Sequence, residues 1–171
     1  VEALEEVDPR REVQLIVSGG IRSGADVAKA LALGADAVSI GQALLMALGC
    51  NSRNYVQDGK EIDVTTDYRQ LGTAPGHCNQ CQTGLCPVGV TTQDPDLEKR
   101  LDPDWGERRV RNYLSTLAME VATLSRACGK SDVHHLERED LVALTVEAAA
   151  MAGVPLAGTN WIPGNRNSDN R

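Results

Sequence analysis

Three cysteines within nine residues are the part of this chain best suited to chemistry. They form a C-x₂-C-x₄-C-P pattern over Cys78–Pro87, and two further cysteines stand at positions 50 and 128. In a chain without secretory features, close thiolates are more typical of metal binding than of disulfides. A proline after the last cysteine is common in iron–sulfur sites, whereas four thiolates also suit a structural zinc ion. The pattern predicts a metal centre and favours an iron–sulfur cluster; zinc and uncoordinated thiols are the alternatives.

Glycines at two turns predict a second site, for a phosphate group. Gly19 and Gly20 follow the apolar run Val13–Ser18, and Gly41 follows the apolar run Ala37–Ile40. Glycine lets the backbone approach an anion closely, and the N–H groups at a helix start favour negative charge. Two such turns on neighbouring strands are expected to hold one phosphate between them. The alternative is that the glycines only shape tight turns.

The stretch from Val13 to Cys50 predicts the strands and helices that position the glycine turns and the first cysteine. Each apolar run reads as a strand, Ser23 and Gly34 read as the cap and the end of the first helix, and Ala43–Leu48 reads as a second helix. Two successive β-α units of this length predict an α/β fold with a parallel sheet, its first strand covered on both faces. A phosphate held after the last two strands is a feature of (β/α)₈ barrels.

Two helices are expected after the cysteines. Asp104 and Glu107 suggest a capping box at the start of the helix Trp105–Ala127, and a second helix is predicted over Leu136–Ala152. The first helix has an apolar stripe that is expected to face a core: Val110, Tyr113, Leu114, Leu117, Val121 and Leu124.

Composition excludes several classes of function. The net charge is −7, with 24 acidic and 17 basic residues, which argues against nucleic acid as a partner. No apolar run approaches the roughly 18 residues that span a bilayer, and no signal peptide is evident. The expected location is the cytoplasm. The chain starts inside a helical pattern without an initiator methionine, which suggests the C-terminal part of a longer protein. About six further barrel strands are then expected upstream.

The glycine-rich segments resemble the end of a flavin-mononucleotide (FMN) barrel. The residues that carry the resemblance are Ser18–Gly24, Gly34–Val38 and Ile40–Gly41. Similar segments occur in glutamate synthases, in type 2 isopentenyl-diphosphate isomerase and in the inosine-monophosphate dehydrogenase family. The resemblance implies that the FMN phosphate is held by Ser18, Gly19, Gly20, Gly41 and Gln42.

The cysteine segments resemble the flavin domain of the glutamate synthase family more specifically. Ala47–Cys50 and Cys81–Gln93 carry this resemblance. It implies that Cys50, Cys81 and Cys86 bind a three-iron (3Fe–4S) cluster beside the flavin.

Two features depart from the usual pattern of that family. Residues 51–77, here called the insert, separate the first cysteine from the others and read as a polar surface excursion with a hairpin at Asp58–Gly59. Cys78 resembles an additional cysteine of archaeal-type relatives. As a fourth ligand it would make the cluster 4Fe–4S.

Together with the insert, Gly72–Gly76 and Pro155–Trp161 resemble the synthase-like subunit of N-methylglutamate synthase. The resemblance implies reduction of an imine of 2-oxoglutarate, formed with ammonia or methylamine, to glutamate or N-methylglutamate. It also implies glutaminase-like or electron-donor subunits as partners. The catalytic side chains are expected upstream, and none is assigned here. A zinc-binding assembly module and an enzyme of the inosine-monophosphate dehydrogenase type are the alternatives; the latter leaves the cysteines unexplained.

The sequence thus predicts four regions. Residues 1–49 end the barrel, residues 50–93 hold the insert and the cysteine-rich loop, residues 94–153 form a helical extension, and residues 154–171 form an extended tail. The tail is expected to be disordered from Asn165 onward. His77, His134 and His135 are expected at the surface, and Cys128 is expected as a small buried hydrophobic residue.

Overall fold

The computed structural model describes residues 13–164 of the chain. Within this range the chain forms two compact units, one built from residues 13–40 and 117–164 and the other from residues 41–116. The predicted helical start at residues 1–6 and the predicted disorder of residues 165–171 lie outside the described residues. The described part combines helices with two short sheets, which is consistent with the predicted α/β class.

The first unit begins with a β-α-β segment, as the sequence predicts. Strand β1 (Ile16–Ser18) and strand β2 (Ala37–Ser39) are parallel, with Val17 opposite Val38. Helix α1 (Gly24–Ala32) connects them. The parallel pairing is therefore confirmed, although both strands are shorter than the apolar runs that predicted them.

Ser23 and Asp26 start helix α1 with a capping box. The Asp26 carboxylate accepts the Ser23 N–H at 3.1 Å, and Ser23 Oγ accepts the Asp26 N–H at 3.4 Å. The carboxylate also accepts the Arg22 N–H, and this bond, followed by that to Lys29, holds the Asp26 pKa below its usual range. Ser23 is the cap that the sequence predicts.

Helix α1 packs closely on the later turns of helix α5 (Pro103–Ala127), and Gly24 permits this approach. A Cβ at Gly24 would lie 2.3 Å from Glu120 Cβ and 2.8 Å from the Val121 nitrogen. The Glu120 carboxylate also accepts a hydrogen bond from the Gly24 N–H at 2.6 Å. The buried core of this contact consists of Ile21, Val27, Leu31 and Val121.

Strand β1 is less covered than the sequence predicts. Ile16 is 64% exposed and Val13 is 41% exposed, and the sheet contains two strands in the described part of the chain. A parallel strand is buried on both faces only when layers pack on both sides of its sheet. The complete (β/α)₈ barrel remains a prediction.

The second unit holds a helix, a hairpin and the cysteine-rich loop. The predicted hairpin turn at Asp58–Gly59 is confirmed, because both residues have positive φ values, 51° and 74°, between paired antiparallel strands. The regular elements in chain order are α2 (Gln42–Leu48), β3 (Asn54–Gln57), β4 (Lys60–Asp63), α3 (Thr65–Gln70), a 3₁₀ turn (Cys81–Thr83), α4 (Pro95–Glu98) and the first turns of α5.

Helix α5 ends at Ala127 as predicted, but a different residue caps its start. Asp102 Oδ1 accepts the N–H groups of Asp104 and Trp105 at 3.0 and 3.1 Å. The capping box predicted from Asp104 is wrong because Asp104 already lies inside the first turn.

The apolar stripe of helix α5 is covered unevenly. Val121 is 5% exposed, whereas Leu114 and Leu124 are 42% and 37% exposed. The prediction of a core-facing stripe thus holds at Val121 and fails at these two leucines. No helix within residues 13–164 is long and apolar enough to cross a membrane.

The predicted helix Leu136–Ala152 is replaced by two shorter elements. A 3₁₀ turn covers Arg138–Asp140, and helix α6 covers Val146–Ala152. Asp140 and Thr145 explain the break, because each side chain accepts a nearby backbone N–H, at 2.9 and 3.2 Å. Such local hydrogen bonds compete with a continuous helix.

Candidate metal centre

Four of the five cysteines line one pocket in the second unit. These are Cys50, Cys78, Cys81 and Cys86, and the pocket that they line is called the cysteine pocket below. The Cys86 side chain is buried, Cys50 and Cys78 are half-buried, and Cys81 is exposed. The fold therefore brings together the four residues that the sequence predicts as metal ligands.

Cys128 does not line this pocket, and the prediction that it is buried is wrong. Its side chain is exposed directly after the last residue of helix α5. His77, His134 and His135 are exposed, as expected.

The end of helix α2 positions Cys50. The Cys50 N–H bonds to the Leu45 carbonyl oxygen at 2.8 Å, and Gly49 ends the helix with a φ of 130°. A residue with a side chain would be strained at that φ, which explains why glycine precedes Cys50.

The turn after Cys86 surrounds its sulfur with hydrogen-bond donors. The backbone N–H groups of Thr91, Val88 and Val90 donate to the Cys86 sulfur, as does the Thr91 hydroxyl. Burial raises the pKa of the Cys86 thiol, but the hydrogen bonds outweigh burial and hold the pKa below its usual range. A thiolate is the form that binds metals, so this turn favours the ligating state.

Gly89 allows this turn to form. Its φ is 75°, and a Cβ there would lie 2.5 Å from the Leu97 carbonyl oxygen. The Gly89 N–H also bonds to the Cys86 carbonyl oxygen at 3.1 Å. Both its conformation and the close approach of helix α4 require glycine.

The pKa of the Cys50 thiol, in contrast, is raised. Burial raises the pKa of the Cys50 thiol, and the neighbouring Cys86, Cys81 and Cys78 raise it further. Several thiolates in one pocket disfavour each other unless a positive charge lies among them. Metal ions supply such a charge and keep coordinating thiols deprotonated.

The four cysteines supply the donor atoms of a thiolate metal centre. Within residues 13–164, no group of three or more histidine, cysteine, aspartate or glutamate side chains is already arranged so that it could hold a metal ion. A zinc ion requires all of its sulfur ligands at about 2.3 Å. In an iron–sulfur cluster the thiolates bind different irons and therefore surround the cluster. Four thiolates are a donor set that suits either kind of centre.

The insert contributes a wall of the cysteine pocket, a role that the sequence did not predict. Tyr68 is 1% exposed, and its hydroxyl donates to the Ser52 carbonyl oxygen at 3.0 Å. Tyr68 and Val64 form one buried cluster with Cys86 and Val88. The hairpin of the insert is a surface excursion, as expected, but its helix α3 is packed on the cysteines. The apolar spacing of Val64 and Tyr68 within a polar segment was the available signal.

Arg100 connects the insert to the segment Cys78–Pro87, which is called the cysteine loop below. Its guanidinium donates to the Pro87 carbonyl oxygen at 2.9 Å and forms an ion pair with Asp67 of helix α3. The same group lies 5.3 Å from the centre of the Tyr55 ring, within cation–π range. Nothing in the sequence near Arg100 indicates this role.

The residues of the predicted phosphate site lie in exposed turns of the two units. Ser18, Gly19 and Gly20 follow strand β1 in the first unit, where both glycines have positive φ values, 101° and 72°. A Cβ at either glycine would meet no atom within 4 Å. Gly41 and Gln42 start helix α2 in the second unit. Binding of one phosphate by both turns stays a prediction.

Comparison with known proteins agrees with the resemblance in the sequence. The chain matches the family model described as "Conserved region in glutamate synthase" over residues 1–67 and 69–131. No solved structure matches the chain.

Two curated relatives illustrate the similarity. A glutamate synthase large subunit-like protein of Rhizobium meliloti is 56% identical over 164 residues, which are 96% of this chain and 35% of the relative. An archaeal glutamate synthase [NADPH] of Methanocaldococcus jannaschii is 39% identical over 159 residues, which are 91% of this chain and 26% of the relative. The chain thus spans between a quarter and about a third of the length of these relatives.

Proposed function

The chain belongs to the glutamate synthase family, and from this premise we propose that it carries the iron–sulfur site of an FMN-dependent oxidoreductase. The observation that carries the proposal is the cysteine pocket, in which Cys50 lies with three cysteines from beyond the insert. Sequence similarity to the family does not by itself require that Cys50 lies near the other three cysteines in the fold.

The residues of this chain would hold the cluster and control its surroundings. Cys50, Cys81 and Cys86 are proposed as ligands, with Cys78 as the fourth. The amides of the turn after Cys86 stabilise its thiolate, and the buried ring of Tyr68 excludes water from one wall. When bound, the cluster and the flavin supply electron and hydride transfer. Exclusion of water and hydrogen bonds to sulfur are both known to shift cluster potentials.

The flavin phosphate is proposed to bind at the two glycine turns. Family membership supports this assignment for Ser18, Gly19, Gly20, Gly41 and Gln42. The open space beside Gly19 and Gly20 supports it further, because nothing there blocks an anion from the backbone.

The proposed reaction is reduction of an imine of 2-oxoglutarate. Hydride is added to the imine carbon and a proton to its nitrogen, which gives glutamate from ammonia or N-methylglutamate from methylamine. The resemblance of the insert and of Pro155–Trp161 favours methylamine. Glutaminase-like or electron-donor subunits, a complete barrel and a cytoplasmic location belong to the same proposal.

The experiment is a turnover assay on the protein encoded by the native gene, purified without oxygen. With a chemical reductant and 2-oxoglutarate, the assay should form N-methylglutamate from methylamine faster than glutamate from ammonia. Faster glutamate formation would overturn the methylamine assignment only. No product from either amine, in a protein that contains FMN and iron, would overturn the proposed reaction.

A further inference from the structure

Asn51 is the residue that closes the insert beside the cysteine pocket. Its backbone carbonyl oxygen accepts the Gly76 N–H at 3.2 Å, so the two ends of the insert meet there. Its φ is 61°, a left-handed conformation that asparagine tolerates better than most residues. The Asn51 side chain is half-buried and lines the pocket.

The side-chain amide of Asn51 connects two of the cysteines. Its oxygen accepts the Cys78 N–H at 2.7 Å, and its nitrogen donates to the Cys78 carbonyl oxygen at 3.4 Å. The same nitrogen donates to the Cys50 sulfur at 3.7 Å. The two contacts with the Cys78 backbone fix the amide orientation, because the oxygen must face the N–H and the nitrogen the carbonyl.

We propose that Asn51 is a positioning residue that holds Cys50 and Cys78 as neighbouring cluster ligands and tunes the cluster through its N–H bond to the Cys50 sulfur. This inference rests on the proposed function. A long insertion is tolerated when its two ends are held together. Asn51 holds the ends of the insert together with both its main chain and its side chain. Hydrogen bonds to cluster sulfurs stabilise the reduced, more negative state and so raise the reduction potential.

The test uses the protein from the native gene, purified without oxygen, and two substitutions of Asn51. Asn51→Asp keeps an oxygen for the Cys78 N–H but removes the donor to sulfur. Asn51→Gly keeps the left-handed backbone and removes every side-chain contact. The matched control is Asp58→Gly, at the other non-glycine residue with positive φ in the described part of the chain. Iron content, electron paramagnetic resonance (EPR) spectra and the cluster midpoint potential are measured for all four proteins.

We expect the Asn51→Asp protein to retain a cluster with a more negative midpoint potential. The Asn51→Gly protein should contain less iron, and the Asp58→Gly protein should match the wild type in every measurement. A cluster in the Asn51→Asp protein with the wild-type potential and spectrum would overturn the inference. Unfolding of both Asn51 variants beside a folded control would also overturn it, in favour of a purely structural role. Absence of iron from the wild type would instead refute the proposed function.

Discussion

The Arg100 guanidinium lies 2.9 Å from the Pro87 carbonyl oxygen, one residue after the buried Cys86. Because the same guanidinium pairs with Asp67 and faces Tyr55, one side chain joins the insert to the cysteine loop. The link between the insert and the cysteine loop therefore involves a residue outside both of them.

Substitution of Arg100 by alanine should destabilise the second unit. Hydrogen bonds from a charged group contribute about 1.5–3 kcal/mol, and because the Asp67 side chain is 35% exposed we expect a loss near the lower end of this range. The control is Arg53→Ala, because the Arg53–Asp63 pair is exposed and such pairs contribute at most about 1 kcal/mol. The free energy of unfolding is measured by denaturant titration of both variants. If both variants lose the same free energy of unfolding, the Arg100 contacts stabilise the second unit no more than an exposed ion pair does.

Replacement of Cys78 by serine tests its role as the fourth ligand. We expect the variant to keep a cluster but to convert it to a three-iron form, which gives an EPR signal in the oxidised state. The wild type should give its signal in the reduced state. The spectra of both proteins are recorded before and after reduction, and identical spectra would remove Cys78 from the ligand set.

Substitution of Gly24 by alanine should loosen the contact between helices α1 and α5. The added Cβ would meet backbone atoms and Glu120 Cβ, and overpacking of this kind costs about 1–3 kcal/mol. Gly106→Ala is the matched control, because its Cβ would meet the movable end of the Leu48 side chain. The Tm of each variant is measured by thermal unfolding, and we expect the larger drop in Tm for Gly24→Ala. A larger drop for the control would contradict the close approach at Gly24.

The capping box of helix α1 predicts a pH dependence. The folded-state pKa of Asp26 lies below its ordinary value of 3.8, so its contribution to stability is complete above that pH. The contribution is lost as the pH falls through the lower, folded-state pKa. The Asp26→Asn protein should therefore be less stable than the wild type at pH 7, with a difference that narrows in acid. Denaturant unfolding at several pH values checks this, and a constant difference would exclude the proposed charge effect.

Local signals in the sequence were sufficient for the elements that carry their own caps and turns. Ser23, Gly34 and Asp58–Gly59 act within a few residues, so the first helix and the hairpin could be predicted. The helix over Leu136–Ala152 was overpredicted because its apolar pattern does not reveal that Asp140 and Thr145 bond to nearby backbone groups.

The candidate site was only partly accessible from the sequence. Cysteine spacing and family resemblance identified the four cysteines, but the contacts of Arg100 and Asn51 link residues far apart in the chain. Such contacts depend on the tertiary fold. The insert looked separable because its hairpin is polar, whereas Tyr68 is buried against the cysteines.

The central claim is that the four thiols of the cysteine pocket hold one iron–sulfur cluster. It is tested most directly by measuring iron, zinc and acid-labile sulfide in the protein purified without oxygen, beside its Cys86→Ser and Cys128→Ser variants. We predict iron and sulfide in the wild type and in Cys128→Ser, and their loss from Cys86→Ser. Zinc without sulfide in the wild type, or undiminished iron in Cys86→Ser, would contradict the claim.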